Sequence, residues 1–121
     1  MTITSFRDLR VWQAGMDLVE TIYRCTQTFP SQEVYGLVSQ MRRSAVSIPS
    51  NVAEGHTRES SKEYLYHLSV AQASLAELQT QIEIAGRLEY IDRPRADQVL
   101  DQSASLSRQL YALRNALIKR G

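Results

Sequence analysis

Apolar residues recur every three or four positions along four separate stretches of this 121-residue chain, and they show no sustained one-by-one alternation. Such spacing gathers them on one face of a helix, whereas a half-buried strand needs alternation. No Asn-Gly hairpin turn interrupts the pattern, and the chain carries only three prolines. The expectation is therefore an all-α protein.

The first stretch predicts a helix from about Asp8 to Thr28, with Leu9, Trp12, Met16, Val19, Ile22 and Thr26 on its inner face. Ser5 or Asp8 can cap its start. Phe29-Pro30 stops it, because the residue before proline avoids helical angles. The second helix is expected over Val34–Gly55, with Val34, Leu37, Met41, Ala45, Ile48 and Val52 as its stripe. The third opens at "SSKE", where Ser60 and Glu63 have capping-box spacing. It continues through Tyr64, Leu68, Ala71, Leu75, Leu78, Ile82 and Ala85, and Gly86 ends it. Asp92 caps the fourth, with Pro94 in the first turn, where its missing N–H costs nothing. Ala96, Val99, Ser103, Leu106, Leu110, Leu113 and Leu117 then alternate steps of three and four, an a/d heptad seam. Four amphipathic helices on short links predict one domain over residues 1–121, an up-down-up-down four-helix bundle.

The segment "RRSAVSIPSNVAEG", residues 42–55, places a proline deep inside the second helix. Pro49 removes one hydrogen bond, clashes with the carbonyl of Ala45 and costs about 3 kcal/mol. The apolar stripe runs straight across it, so the helix is expected to bend there without breaking. Ser44 and Ser47 can bond to nearby carbonyls and soften the kink. Arg43, Ser47, Asn51 (or Ser50), Glu54 and Arg58 form a polar stripe away from Ile48. It reads either as a solvated face or as a contact surface for another subunit. Short serines permit close approach, and Arg and Glu can pair across an interface. The expected partner or oligomer surface is Arg42, Arg43, Ser47, Ser50, Asn51 and Glu54. Gly15 and Gly36 fall inside the expected helices, at about 1 kcal/mol each.

Catalytic chemistry finds little footing. A di-iron carboxylate bundle needs paired Glu-x-x-His motifs, but Ala53 and Tyr64 stand three residues before His56 and His67. Glu63 and His67 share i, i+4 spacing, which suits an exposed ion pair better than a metal site. No serine has a base and an orienting group at a telling spacing. Cys25 reads as a packed thiol. No catalytic, cofactor or metal residues are assigned. The alternative is a small metal- or histidine-dependent enzyme.

Lone Cys25 suits a reducing, cytoplasmic setting. No apolar run reaches the roughly 18 residues of a membrane span, and "MTITSFRDLRVW" carries no export pattern. Net charge is +1, so long-range steering to nucleic acid is weak. Arg42 and Arg43 adjoin, Arg58 and Lys62 follow, and Arg114, Lys119 and Arg120 crowd the end of the last helix. Aromatic stacking partners for a single strand are not obviously alongside them.

The blocks "DLRVWQ" (8–13), "YGLVSQMRRSAVSIPSNVAEG" (35–55), "SKEY" (61–64) and "SLAELQTQI" (74–82) resemble the four-helix-bundle family named for 23S rRNA intervening sequences. The resemblance spans residues 6 to 91, and the fourth helix follows it in pattern alone. It implies a homo-oligomeric ring, commonly a pentamer, around a central channel. It also implies a nucleic-acid or protein partner, since relatives include the retroelement accessory variability determinant, which binds both through a strongly basic surface. The signature positions are Arg42, Arg43, Ser47, Pro49, Ser50, Asn51, Glu54 and Gly55, and the family carries no catalytic residues to transfer.

Overall fold

The computed structural model describes residues 4–120. Among them are four α-helices and no strand: α1 (Arg10–Thr26), α2 (Leu37–His56), α3 (Ser61–Arg87) and α4 (Arg93–Arg120). Short 3-10 turns, Phe6–Asp8 and Ser31–Glu33, precede α1 and α2. Each helix packs on the next in the chain, and α1 also meets α4. The core between them is one apolar cluster containing Leu18, Ile22, Ile48, Leu75, Leu106 and Leu110.

The ends follow local chemistry. Ser5 caps the first 3-10 turn rather than α1: its Oγ accepts from Arg7 N–H at 3.2 Å, and Asp8 Oδ2 accepts from Ser5 N–H at 3.3 Å. α2 begins three residues later than expected, because Ser31–Glu33 forms its own turn and Glu33 Oε1 accepts from Leu37 N–H at 3.2 Å. Gly36 is therefore the N-cap and not a helix-interior residue, and Val34 lies outside α2, half-exposed. Ser60 Oγ caps α3 through Glu63 N–H at 3.1 Å. Asp92 Oδ1 caps α4 through Arg95 N–H at 2.8 Å.

The stripes of α3 and α4 are as expected. Leu68, Ala71, Leu75, Leu78, Ile82 and Ala85 are buried on α3, and Ala96, Val99, Ser103, Leu106, Leu110 and Leu117 on α4. Buried Ser103 donates to Leu100 O at 2.7 Å and accepts from Gln79 Nε2 at 3.1 Å, so its hydroxyl is satisfied. In α1 the inner face is rotated by about one residue. Val11, Gly15, Leu18, Ile22 and Thr26 are buried, while Trp12 and Val19 are partly buried and Met16 is exposed. Gly15 on this face stands opposite Pro49, where a Cβ would lie 3.4 Å from the Pro49 Cβ. The helices meet at this glycine, and Trp12 is left at the rim against Phe6, with ring centroids 5.4 Å apart.

α2 is continuous through Pro49, which is buried. Ser44 and Ser47 do not turn back onto α2 carbonyls. They bond across to α3, Ser44 Oγ to Glu77 Oε1 at 2.9 Å and Ser47 Oγ to Ser74 Oγ at 2.8 Å.

The end of α3 gives a direct stability prediction. The helix extends past Gly86 to Arg87 and closes with Tyr90 N–H to Ala85 O at 3.0 Å and Glu89 N–H to Gly86 O at 3.1 Å. This is a Schellman closure, and it puts Glu89 at φ 63°, the left-handed region that favours glycine. Glu89→Gly should raise stability by about 1 kcal/mol, read as a Tm increase of a few degrees. An unchanged or lower Tm would show that Glu89 carries no backbone strain.

Candidate interaction surface on α2

α2 presents three chemically different faces, and the residues expected to form one polar stripe are divided among them. Toward α3 lies a hydrogen-bonded seam. Besides the serine pairs already described, Asn51 Nδ2 donates to Ser47 O at 2.9 Å and to Ser47 Oγ at 3.1 Å. That orientation turns Asn51 Oδ1 toward His67 Nδ1, 3.1 Å away, so Nδ1 carries the hydrogen. Glu54 Oε2 stands 3.5 Å from the same nitrogen. Ser47, Asn51 and Glu54 thus reach a neighbouring helix of the same chain. At the C-terminal end of α2, Gly55 faces Tyr64 and His67.

Toward α1, Arg42 is an internal tie. Its Nε donates to Thr26 Oγ1 at 2.9 Å and its Nη2 to Tyr23 O at 3.3 Å, and its guanidinium lies over the Tyr23 ring at 4.4 Å. The Thr26 hydroxyl in turn donates to Ile22 O at 2.8 Å. A cation against the last carbonyls of α1 complements the dipole at that end. Arg42 is therefore already engaged, which its neighbour Arg43 is not. Arg43 is exposed and has no ion-pair partner among the described residues. Ser50 is exposed as well.

The outward face holds a groove of about 850 Å³ between α1 and α2. Thr26, Phe29 and Val38 are its buried members, while Tyr23, Val34, Tyr35 and Val46 present apolar surface to solvent. Tyr35 is 97% exposed. Arg42 and Arg43 are the charged residues in the lining, and no carboxylate is among them. Of the expected surface residues, this groove brings together Arg42, Arg43 and Ser47, and leaves Ser50, Asn51 and Glu54 outside. Tyr23, Tyr35 and Val46 lie outside the stripes that periodicity marks. A signal for the first and last was present: each is apolar and stands one position off its helix's inner stripe, beside Ile22 and Ala45. Contrary to expectation, tyrosines do stand alongside the arginine pair.

Among the described residues, no group of three or more His, Cys, Asp or Glu is arranged to hold a metal ion. None of the described helices is long and apolar enough to cross a membrane.

Residues 7–112 match the model of the 23S rRNA-intervening sequence protein family. The chain belongs to this family. Its fold is also similar to the crystal structure of a protein of unknown function, of the S23 ribosomal protein family, from Bacteroides thetaiotaomicron VPI-5482. The TM-score is 0.77 at 21% identity, over 86% of this chain and 97% of that one. No curated protein matches the chain.

Proposed function

We propose that this chain is a non-enzymatic, homo-oligomeric four-helix-bundle module of the cytoplasm, an interaction scaffold for a protein or nucleic-acid partner. Its helices alternate up and down, and copies close into a ring, a pentamer by the family resemblance. The observation that carries the reading is the open groove beside α2, where Tyr35, Val34 and Val46 face solvent next to exposed Arg43. Tyrosine and arginine around an apolar patch are the residues that dominate protein interfaces. Further exposed apolar residues lie elsewhere: Ile84 on α3, Leu88 at the C-cap of α3, and Tyr111 and Ile118 on α4. A ring needs two unlike patches on each subunit, because its contacts are head to tail.

The polar seam at His67 supports the same reading over an enzyme. Asn51, Ser47 and His67 are partnered by one another within the α2–α3 contact, as a packing seam requires. A nucleic-acid grip through Arg43 would be weak per copy, summed over the ring, and reduced steeply by salt.

Light scattering at micromolar concentration tests the assembly. The expected mass is about five times the 13.8 kDa of one chain, and a monomer overturns the reading. Arg42→Glu is unsuited to probing the surface, since it breaks the tie to Thr26 and Tyr23. Arg43→Glu should leave the melt within about 0.5 kcal/mol of the unaltered chain, as surface changes do.

A further inference from the structure

We propose that the α1–α2 groove docks an acidic amphipathic helix of a partner protein. The inference rests on the interaction-module reading and names the occupant of its open surface. Three features of the groove select that chemistry. One wall is α2 from Val38 to Ser47, about 14 Å at 1.5 Å per residue, faced by the last turn of α1 and the link between the helices. That length accommodates two to three turns of a third helix, the usual helix-in-groove arrangement. Its wall is apolar, with Val34, Val38 and Val46 beside Phe29, which suits apolar side chains spaced by three, four and seven. Its charge is of one sign, two arginines without a carboxylate in the lining. Acidic residues flanking the apolar stripe of the docked helix would meet Arg43, which has no ion-pair partner of its own among the described residues.

A single nucleic-acid strand is a poorer fit. It needs a run of cations and accessible rings. The Tyr23 ring is already covered by Arg42 at 4.4 Å, and Arg42 is bonded to Thr26, so among the described residues the lining keeps Tyr35 and Arg43 for a strand to meet. A second copy of this chain is also less complementary. One apolar helix face of this chain with carboxylates, Met16 beside Asp17 and Glu20, is on α1, which itself lines the groove, and another is the outer side of α3, around Ile84. There Glu83 is held by Arg87 at 3.0 Å and by Arg93 at 3.0 Å, and Glu77 accepts from Ser44.

The test is a display selection with a random library of peptides about 15 residues long against the intact protein. Binding of the selected peptides is then measured by fluorescence anisotropy. The expected winners are acidic, with apolar residues at i, i+3 or i+4, and i+7. Their affinity should fall at least about tenfold in Val46→Glu and in Arg43→Glu, and stay unchanged in Tyr111→Ala. The proposal is overturned if nothing is enriched beyond what Val46→Glu also enriches, or if the winners are basic or extended. It is equally overturned if a poly-uridylate probe displaces the winners. Light scattering on Val46→Glu completes the set: a drop from assembly to monomer gives the groove to a second copy and refutes a foreign helix. Wild-type protein that is monomeric yet selects acidic helices would sink the ring while supporting the groove. An assembled protein that selects nothing would do the reverse.

Discussion

Leu110→Asp is expected to abolish the cooperative thermal melt, leaving a chain that is unfolded or aggregated at 25 °C. Leu110 is fully buried on the heptad seam of α4, within the one apolar cluster that joins the four helices. Removing a buried leucine side chain alone destabilises by about 2–5 kcal/mol. The carboxylate adds to this, because an unpaired buried charge costs several kcal/mol more. Domains of this size have only about 5–15 kcal/mol in total. Two neighbouring substitutions separate burial from helix propensity. Leu110→Met keeps the volume and should cost less than about 1.5 kcal/mol. Tyr111→Asp, one position along on the half-exposed side, should stay within about 0.5 kcal/mol. Circular dichroism melts of the three chains give the result directly. A normal melt for Leu110→Asp would mean that α4 does not contribute its seam to the core.

α3 and α4 were legible in the sequence because a single term decides their orientation. Their inner positions, Leu75, Leu78 and Ile82 or Leu106 and Leu110, are large and apolar, and apart from Tyr111 beside Leu110 their direct neighbours are polar or small. α1 was not, because two candidate faces overlap there: Leu9, Trp12, Met16 and Val19 against Val11, Gly15 and Leu18. Summed hydrophobicity favours the first set. The structure takes the second, with Gly15 facing Pro49 and Trp12 at the rim against Phe6. Periodicity weighs side chains, and a glycine on the inner face gives it nothing to weigh. The surface had a similar history. Spacing placed Ser47, Asn51 and Glu54 with Arg43 on one stripe of α2, yet a stripe on one helix is exposed or covered according to what its neighbour offers. Ser74 and His67 of α3 cover the first two and reach the third. Arg42 and Arg43 are adjacent in sequence and diverge for the same reason: Thr26 waits on one side and solvent on the other.

Gly55→Val should destabilise the protein at the upper end of the roughly 1–3 kcal/mol typical of overpacking, or beyond it. Gly55 is buried at the end of α2, and its φ is unremarkable, so conformational freedom is not what requires glycine here. The requirement is space. A Cβ at this position would stand 2.9 Å from the Cβ of His67, 3.0 Å from Cδ1 of Tyr64 and 3.3 Å from the Tyr64 carbonyl oxygen. The His67 Cβ and the Tyr64 carbonyl are fixed to the α3 backbone, so rotamer changes cannot relieve the contact. α2 and α3 would have to separate, which stretches the Asn51–His67 and Ser47–Ser74 hydrogen bonds along the same seam. Gly55→Ala imposes the first part of that strain, Gly55→Val all of it, so the two should lose stability in that order. Gly15→Ala is the informative contrast. Its Cβ would meet Pro49 Cβ at 3.4 Å, an ordinary contact, while alanine gains about 1 kcal/mol of helix propensity over glycine. Gly15→Ala should therefore leave Tm unchanged or slightly raised, whereas Gly55→Val lowers it by roughly 4 °C or more for each kcal/mol lost. If both glycines respond alike, propensity and not close approach governs these sites, and the tight α2–α3 contact at Gly55 is wrong.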